Sequence, residues 1–221
     1  MAETGRLNGT VCDLVEWRAD LCGFCHDAEA VIETGRKLQT ALGSLPLIFT
    51  VRTRGDGGRF DGTVEEYEAL LGSVIAGGFC DACDIELNRG EKLVKRLTSL
   101  ARVSGTGSIV SYHSFDRTPS VDGMVRLLCQ MQSLGADIAK LAVMPKSIQD
   151  VLGLMMASAR AVEAMDIPLI TMSMGQLGSF SRVAGGLTGS CATFGSFGQE
   201  SAPGQYDCRT LRKIMNLLQQ K

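Results

Sequence analysis

Short apolar runs recur along the whole chain, and a segment of helical pattern follows almost every one. The runs cover 12–20 (CDLVEWRAD), 46–53 (PLIFTVRT), 82–87 (ACDIEL), 108–115 (SIVSYHSF), 137–145 (DIAKLAVMP), 168–175 (PLITMSMG) and 192–196 (ATFGS). Between them, helices are predicted over 27–42, 63–76, 90–103, 119–134 and 147–165, with a last one over 207–220. Thr63 ahead of Glu65 and Glu66 has the composition of a capped helix start, and Pro119 and Pro168 mark element starts. No linker or low-complexity stretch interrupts the series, so residues 1–221 read as one domain. Strand and helix in strict alternation imply a parallel sheet with helical crossovers.

The parity of charges within the runs refines this expectation. Side chains alternate faces along a strand. Val15, Trp17 and Ala19 share one face, with Glu16 and Arg18 on the other. Leu47, Phe49 and Val51 oppose Arg52, and Cys83, Ile85 and Leu87 oppose Asp84 and Glu86. Val110 and Tyr112 oppose His113, while Ala139, Leu141 and Val143 oppose Lys140. A doubly wound open sheet buries both faces under helices and would leave these charges in apolar surroundings. A closed barrel gathers them around one axis, near the C-terminal strand ends where such folds build their sites. The predicted fold class is therefore α/β, a (β/α)8 TIM-type barrel. Seven strand candidates are one short of eight, and the pattern ahead of Glu16 puts the missing unit first, so the barrel is expected to lack its first β-strand.

Composition narrows the function classes. The 221 residues are 45% apolar and 21% charged, with a formal charge of −2, the mix of a globular protein. No basic cluster suggests nucleic-acid binding, no run approaches the ~20 apolar residues of a membrane span, and MAETGRLNGT does not have the form of a signal peptide. A cytoplasmic location is expected. Eight cysteines then default to free thiols. Cys22–Cys25–His26 and Cys80–Cys83 match short patterns for haem attachment or zinc, but Cys83 opens a strand-like run, where it serves as a small buried hydrophobe. No metal is expected.

Lys140 is the sharpest chemical feature, a lysine inside the apolar strand IAKLAVM. A partly desolvated lysine has a depressed pKa and can attack a carbonyl; the competing reading pairs it with Asp84 or Glu86 in a buried charge network. His113, on the same parity of another strand, would supply a group that titrates near neutrality, and the pair suits proton abstraction next to a carbonyl. Met174–Arg182 (MGQLGSFSR) reads as a glycine-rich loop leading into a helix. There Arg182 could clamp a carboxylate through two parallel hydrogen bonds, and Ser201–Gln205 (SAPGQ) adds a hydroxyl and an amide on a turn.

EWRAD, FTVRTRGDGG, YHSF, KLAVMP, MSMGQLGSFSR and SAPGQ, in this order and over nearly the whole chain, resemble type I 3-dehydroquinate dehydratase. The resemblance implies a (β/α)8 barrel, usually a homodimer, that needs neither cofactor nor metal. Its reaction removes water from 3-dehydroquinate to give 3-dehydroshikimate, in aromatic amino-acid biosynthesis or quinate breakdown. Matched position by position, it implies that Lys140 forms the imine with the C3 ketone and His113 moves the protons. Asp56 stands where the family usually has a glutamate that partners the histidine; one methylene shorter, it could reach through a water. Glu16, Arg18 and Arg52 match residues that bind substrate hydroxyls and organise the site, Arg182 the carboxylate clamp, and Ser201 and Gln205 the lid loop. Ser114 stands where an acidic residue commonly follows the histidine. Relative to the family, the chain begins about one βα unit late, roughly the 30 residues of such a unit. The alternatives are a catalytically impaired barrel that still binds a shikimate-type ligand, and a Schiff-base aldolase on the same fold.

Overall fold

The computed structural model describes residues 11–198 and 204–219. The chain forms two compact units, Met1–Val110 and Ser111–Lys221. Six strands follow one another in the sheet in chain order: β1 Val15–Arg18, β2 Leu47–Thr50, β3 Ala82–Glu86, β4 Gly107–Ser114, β5 Ile138–Val143 and β6 Leu169–Ser173. The division between the units falls inside β4.

In the first unit β1 pairs with β2, and β2 with β3, both parallel. The crossovers are α1 Ala28–Leu42 and α2 Val64–Gly77, and α3 Glu91–Ser104 follows β3. Their starts are fixed by side chains. Asp27 accepts from the backbone N–H groups of Glu29 and Ala30, and Thr63 with Glu66 closes a reciprocal capping box. The predicted apolar parity holds: Phe49, Val51, Cys83 and Ile85 are buried, with Trp17 and Phe79 set edge-on to Phe49 or tilted against each other. Gly35 of α1 lies so close to Phe79 that a Cβ there would meet the ring at 2.3 Å; α1 can pack down only because this residue has no side chain.

In the second unit β5 and β6 are parallel, with Lys140 opposite Ile170. The helices are α4 Val121–Ser133, α5 Ile148–Ala164, α6 Gly175–Ala184 and α7 Cys208–Gln219. Ser147 and Asp150 cap α5, and the Ser158 hydroxyl on α5 meets that of Thr171 on β6 at 2.6 Å.

Two expectations are corrected. The run 192–196 is not a seventh strand; its Ser196 forms an isolated bridge to Asp207. Gly195 sits where a Cβ would meet the Cα of Cys208 at 2.8 Å, so this segment packs against the start of α7. The MGQLGSFSR stretch is not a loop ahead of a helix, because residues from Gly175 on are α6 itself. Gly178 is in contact with the backbone of Ser173, and Ser181 accepts from the Ser173 N–H at 2.8 Å. The glycines serve close helix-to-strand packing. Among the described residues no helix is long and apolar enough to cross a membrane.

Candidate active site

The charged parity of β1, β2 and β3 assembles into one buried polar network in the first unit. Arg52, just past β2, directs Nη2 to Asp84 at 2.7 Å and Nη1 to Glu86 at 3.1 Å. Burial works against the guanidinium's charge, but Asp84, Glu86 and Glu16 outweigh it and hold its pKa above the usual arginine value. Glu86 also accepts from the Thr53 N–H and hydroxyl, at 2.9 and 2.6 Å. Burial pushes the Glu86 carboxyl up; Arg52 opposes this, and the neighbouring Asp56 adds to it. A like-charge neighbour in a low-dielectric site acts in that direction. The Thr50 hydroxyl donates to Glu16 at 2.7 Å.

Arg18 is held differently. Its Nε and Nη2 form a fork on both oxygens of Asp20, at 2.7 and 2.8 Å. Asp20 also accepts from the backbone N–H groups of Arg52 and Arg59, both at 3.1 Å. Burial would raise this carboxyl, but the Arg18 fork and the two amides leave it below the ordinary carboxylate range. Asp20 thereby pins both ends of the 52–59 loop to the end of β1. Within that loop Asp56 is 1% exposed, and its Oδ1 accepts from the Asn88 side-chain amide at 2.9 Å.

In the second unit Lys140 lies in the middle of β5 and is 4% exposed. Its face continues into Ala142, Ile170, Met172 and Met174, an apolar cluster. Its Nζ stands 4.6 Å from the centroid of the Phe194 ring. His113, half-buried, lies near the end of β4 with its ring parallel to that of Phe115. Met144 N–H donates to the Ser114 carbonyl at 2.9 Å, a parallel register that sets Ser111 opposite Lys140 and His113 opposite Ala142. Lys140 and His113 thus occupy the same face of neighbouring strands, two residues apart in register. From the usual strand rise and spacing, that places their Cα atoms about 8 Å apart, within reach of two long side chains directed to one side.

Arg182, on the last turn of α6, is 2% exposed. Its Nη1 approaches Met172 Sδ at 3.6 Å and the Phe194 carbonyl at 3.5 Å. Phe194 therefore touches both the lysine and the arginine. Gln205 is half-buried just before α7; Ser201 lies outside the described residues. Ser114 is not an acid, but its hydroxyl binds Asp116 Oδ1 and the Arg117 carbonyl. The eight cysteines are free thiols, and the hydrogen bond to Cys80, together with burial, pushes Cys83 well up. Among the described residues no group of three or more His, Cys, Asp or Glu could hold a metal ion.

Sequence reasoning did not pick out Asp20, Asn88 or Phe194. The first two had a signal, since 20 continues the parity of 16 and 18, and 88 that of 84 and 86. Phe194, from an irregular segment, had none.

Parallel strands in chain order with helical crossovers, and ionisable side chains on a strand face within each unit, define an α/β enzyme of the β/α-barrel class. The comparisons carry this to a family. Residues 1–221 match the family model described as Type I 3-dehydroquinase. The 3-dehydroquinate dehydratase of Geobacillus thermodenitrificans is 42% identical over 219 residues, 99% of this chain and 85% of that protein. The catabolic 3-dehydroquinate dehydratase of Acinetobacter baylyi is 41% identical, over 94% of this chain and 76% of that protein. Among solved structures, the type I 3-dehydroquinate dehydratase of Clostridium difficile with covalently modified comenic acid is similar at a TM-score of 0.94 and 35% identity, covering 98% and 86% of the two chains. The chain belongs to the type I 3-dehydroquinase family.

Proposed function

We propose that the chain dehydrates 3-dehydroquinate to 3-dehydroshikimate, with Lys140 as the imine-forming nucleophile and His113 as the group that moves protons. The Lys140 amine adds to the C3 ketone and water is lost, leaving a protonated imine. That cation draws electron density from the adjacent carbon, and His113 removes a proton there. The same imidazole then delivers a proton to the departing C1 hydroxyl, which leaves as water. Hydrolysis of the imine releases the conjugated ketone and regenerates the lysine. Asp56 partners the imidazole, Glu16, Arg18 and Arg52 organise the hydroxyl-binding side, Arg182 takes the carboxylate, and Ser201 and Gln205 belong to a lid that excludes water from the imine.

The observation that carries this reading is the register of β4 and β5, which turns a buried lysine and a half-buried histidine to one face two residues apart. Family membership supports the substrate and the reaction. The resemblance also supports one barrel domain over 1–221, a homodimer, a cytoplasmic location, and chemistry without cofactor or metal.

The test follows absorbance of the conjugated product with the parent protein and with Lys140→Met. Turnover by the first alone, and a borohydride-reduced substrate adduct on the peptide containing Lys140, is the expected result. Equal turnover by both proteins, or an adduct on another residue, would overturn the assignment.

A further inference from the structure

Three buried carboxylates of the first unit, Asp20, Asp84 and Glu86, take arginine side chains. Asp56 takes an amide. Asn88 sits in the 3-10 turn Leu87–Arg89 that directly continues β3, and its Nδ2 donates to Asp56 Oδ1 at 2.9 Å. Asp56 itself lies in the 3-10 turn Arg54–Asp56, which ends at Gly57 in the left-handed region. Two short turns, each anchored to a strand end, are therefore joined side chain to side chain. An amide donor fixes the direction in which a carboxylate oxygen points. The aspartate is one methylene shorter than the glutamate common at this position, so its direction matters more to what it reaches.

We propose that Asn88 is a positioning residue for the reaction, holding the Asp56 carboxylate in one orientation through its side-chain amide. This rests on the reading of Asp56 given above. Asn88 touches no reacting atom in this scheme and acts only through the aspartate.

The experiment is a double-mutant cycle on the full chain, with Asn88→Leu, Asp56→Asn and the pair, reading kcat, KM and melting temperature. Asn88→Ala is carried in parallel should the leucine not be accommodated. Loss of one hydrogen bond to a charged acceptor predicts a kcat roughly ten-fold lower for Asn88→Leu, with KM nearly unchanged. In the Asp56→Asn background the same change should cost little more, because the group it positions is already gone. A merely structural bond would lower the melting temperature and leave kcat alone, which would overturn the proposal. So would losses that multiply in the double variant. If Asp56→Asn keeps full kcat, the reading of Asp56 fails and takes this inference with it; if Asp56→Asn is impaired while Asn88→Leu is not, only this inference falls.

Discussion

Lys140 Nζ stands over the face of the Phe194 ring, 4.6 Å from its centroid. A ring face attracts a cation, by about 0.5–2 kcal/mol depending on how dry the site is. In the proposed reaction a cation forms at that nitrogen in the protonated imine. Phe194→Leu keeps an apolar side chain of similar bulk but removes the π face. It should lower kcat about three- to ten-fold, while Phe194→Tyr stays near the parent. Steady-state kinetics on the two variants decide it; equal rates for Leu and Tyr would mean that the ring only fills space.

Phe194 also shows where sequence reasoning stops. The alternation of runs and helical segments yielded the six strands and six of the seven α-helices among the described residues, because each depends on local periodicity and on caps such as Thr63 and Ser147. Parity placed Lys140, His113, Arg52, Asp84 and Glu86 on the charged face, and continued two residues it would have reached Asp20 and Asn88. What periodicity could not yield is where an irregular segment comes to rest. The run 192–196 has the composition of a strand, yet the contact of Gly195 with Cys208 directs it to α7. The glycines of 175–178 have a loop's composition, yet the contact of Gly178 with Ser173 requires them inside a helix. In both places a close long-range approach outweighs local preference.

The Asp20 carboxyl gathers four donors and is held below its ordinary value of 3.8. A carboxyl whose folded pKa is depressed contributes stability that is complete above the unfolded pKa and is lost as pH falls through the folded one. Asp20→Asn should therefore be less stable than the parent at neutral pH, by on the order of 3 kcal/mol, since it removes the charged acceptor from the Arg18 fork and from two backbone amides. The gap should begin to close as pH drops below the unfolded carboxylate value and vanish below the folded one, where the parent carboxyl is neutral too. Thermal melts of both proteins from neutral to strongly acidic pH check this, and a gap independent of pH would refute it.

A Cβ on Gly58 would lie 2.1 Å from the Arg52 carbonyl oxygen, the same oxygen that accepts from the Phe60 N–H at 3.0 Å. The two nearest atoms, the carbonyl oxygen and carbon of Arg52, are backbone, so neither can swing away. Gly58→Ala should open the 52–60 loop, lowering the melting temperature by several degrees for a loss on the order of 2 kcal/mol. It should also reduce kcat, because the loop carries Arg52 and Asp56. Gly23→Ala, where nothing lies within 4 Å, is the matched control and should stay within about 0.5 kcal/mol of the parent. Similar melting curves for the two variants would show that the loop adapts.

Arg182 reaches its place through a helix that the close approach of Gly178 and the Ser181–Ser173 hydrogen bond hold tight to β6. From there its Nη1 lies beside Met172 and the Phe194 carbonyl. A guanidinium presents two parallel N–H groups to a carboxylate, whereas an ammonium presents a point charge. If Arg182 binds the substrate carboxylate, Arg182→Leu should raise KM about a hundred-fold, and Arg182→Lys should recover only part of that. A binding contact made equally in ground and transition states moves KM and leaves kcat nearly constant. Competition should follow the same rule: a ligand with a carboxylate should lose affinity to the leucine variant, and its amide analogue should bind both proteins alike. Inhibition constants for such a pair, measured on parent and variant, separate charge recognition from a packing defect, because damage to α6 packing would weaken both ligands together.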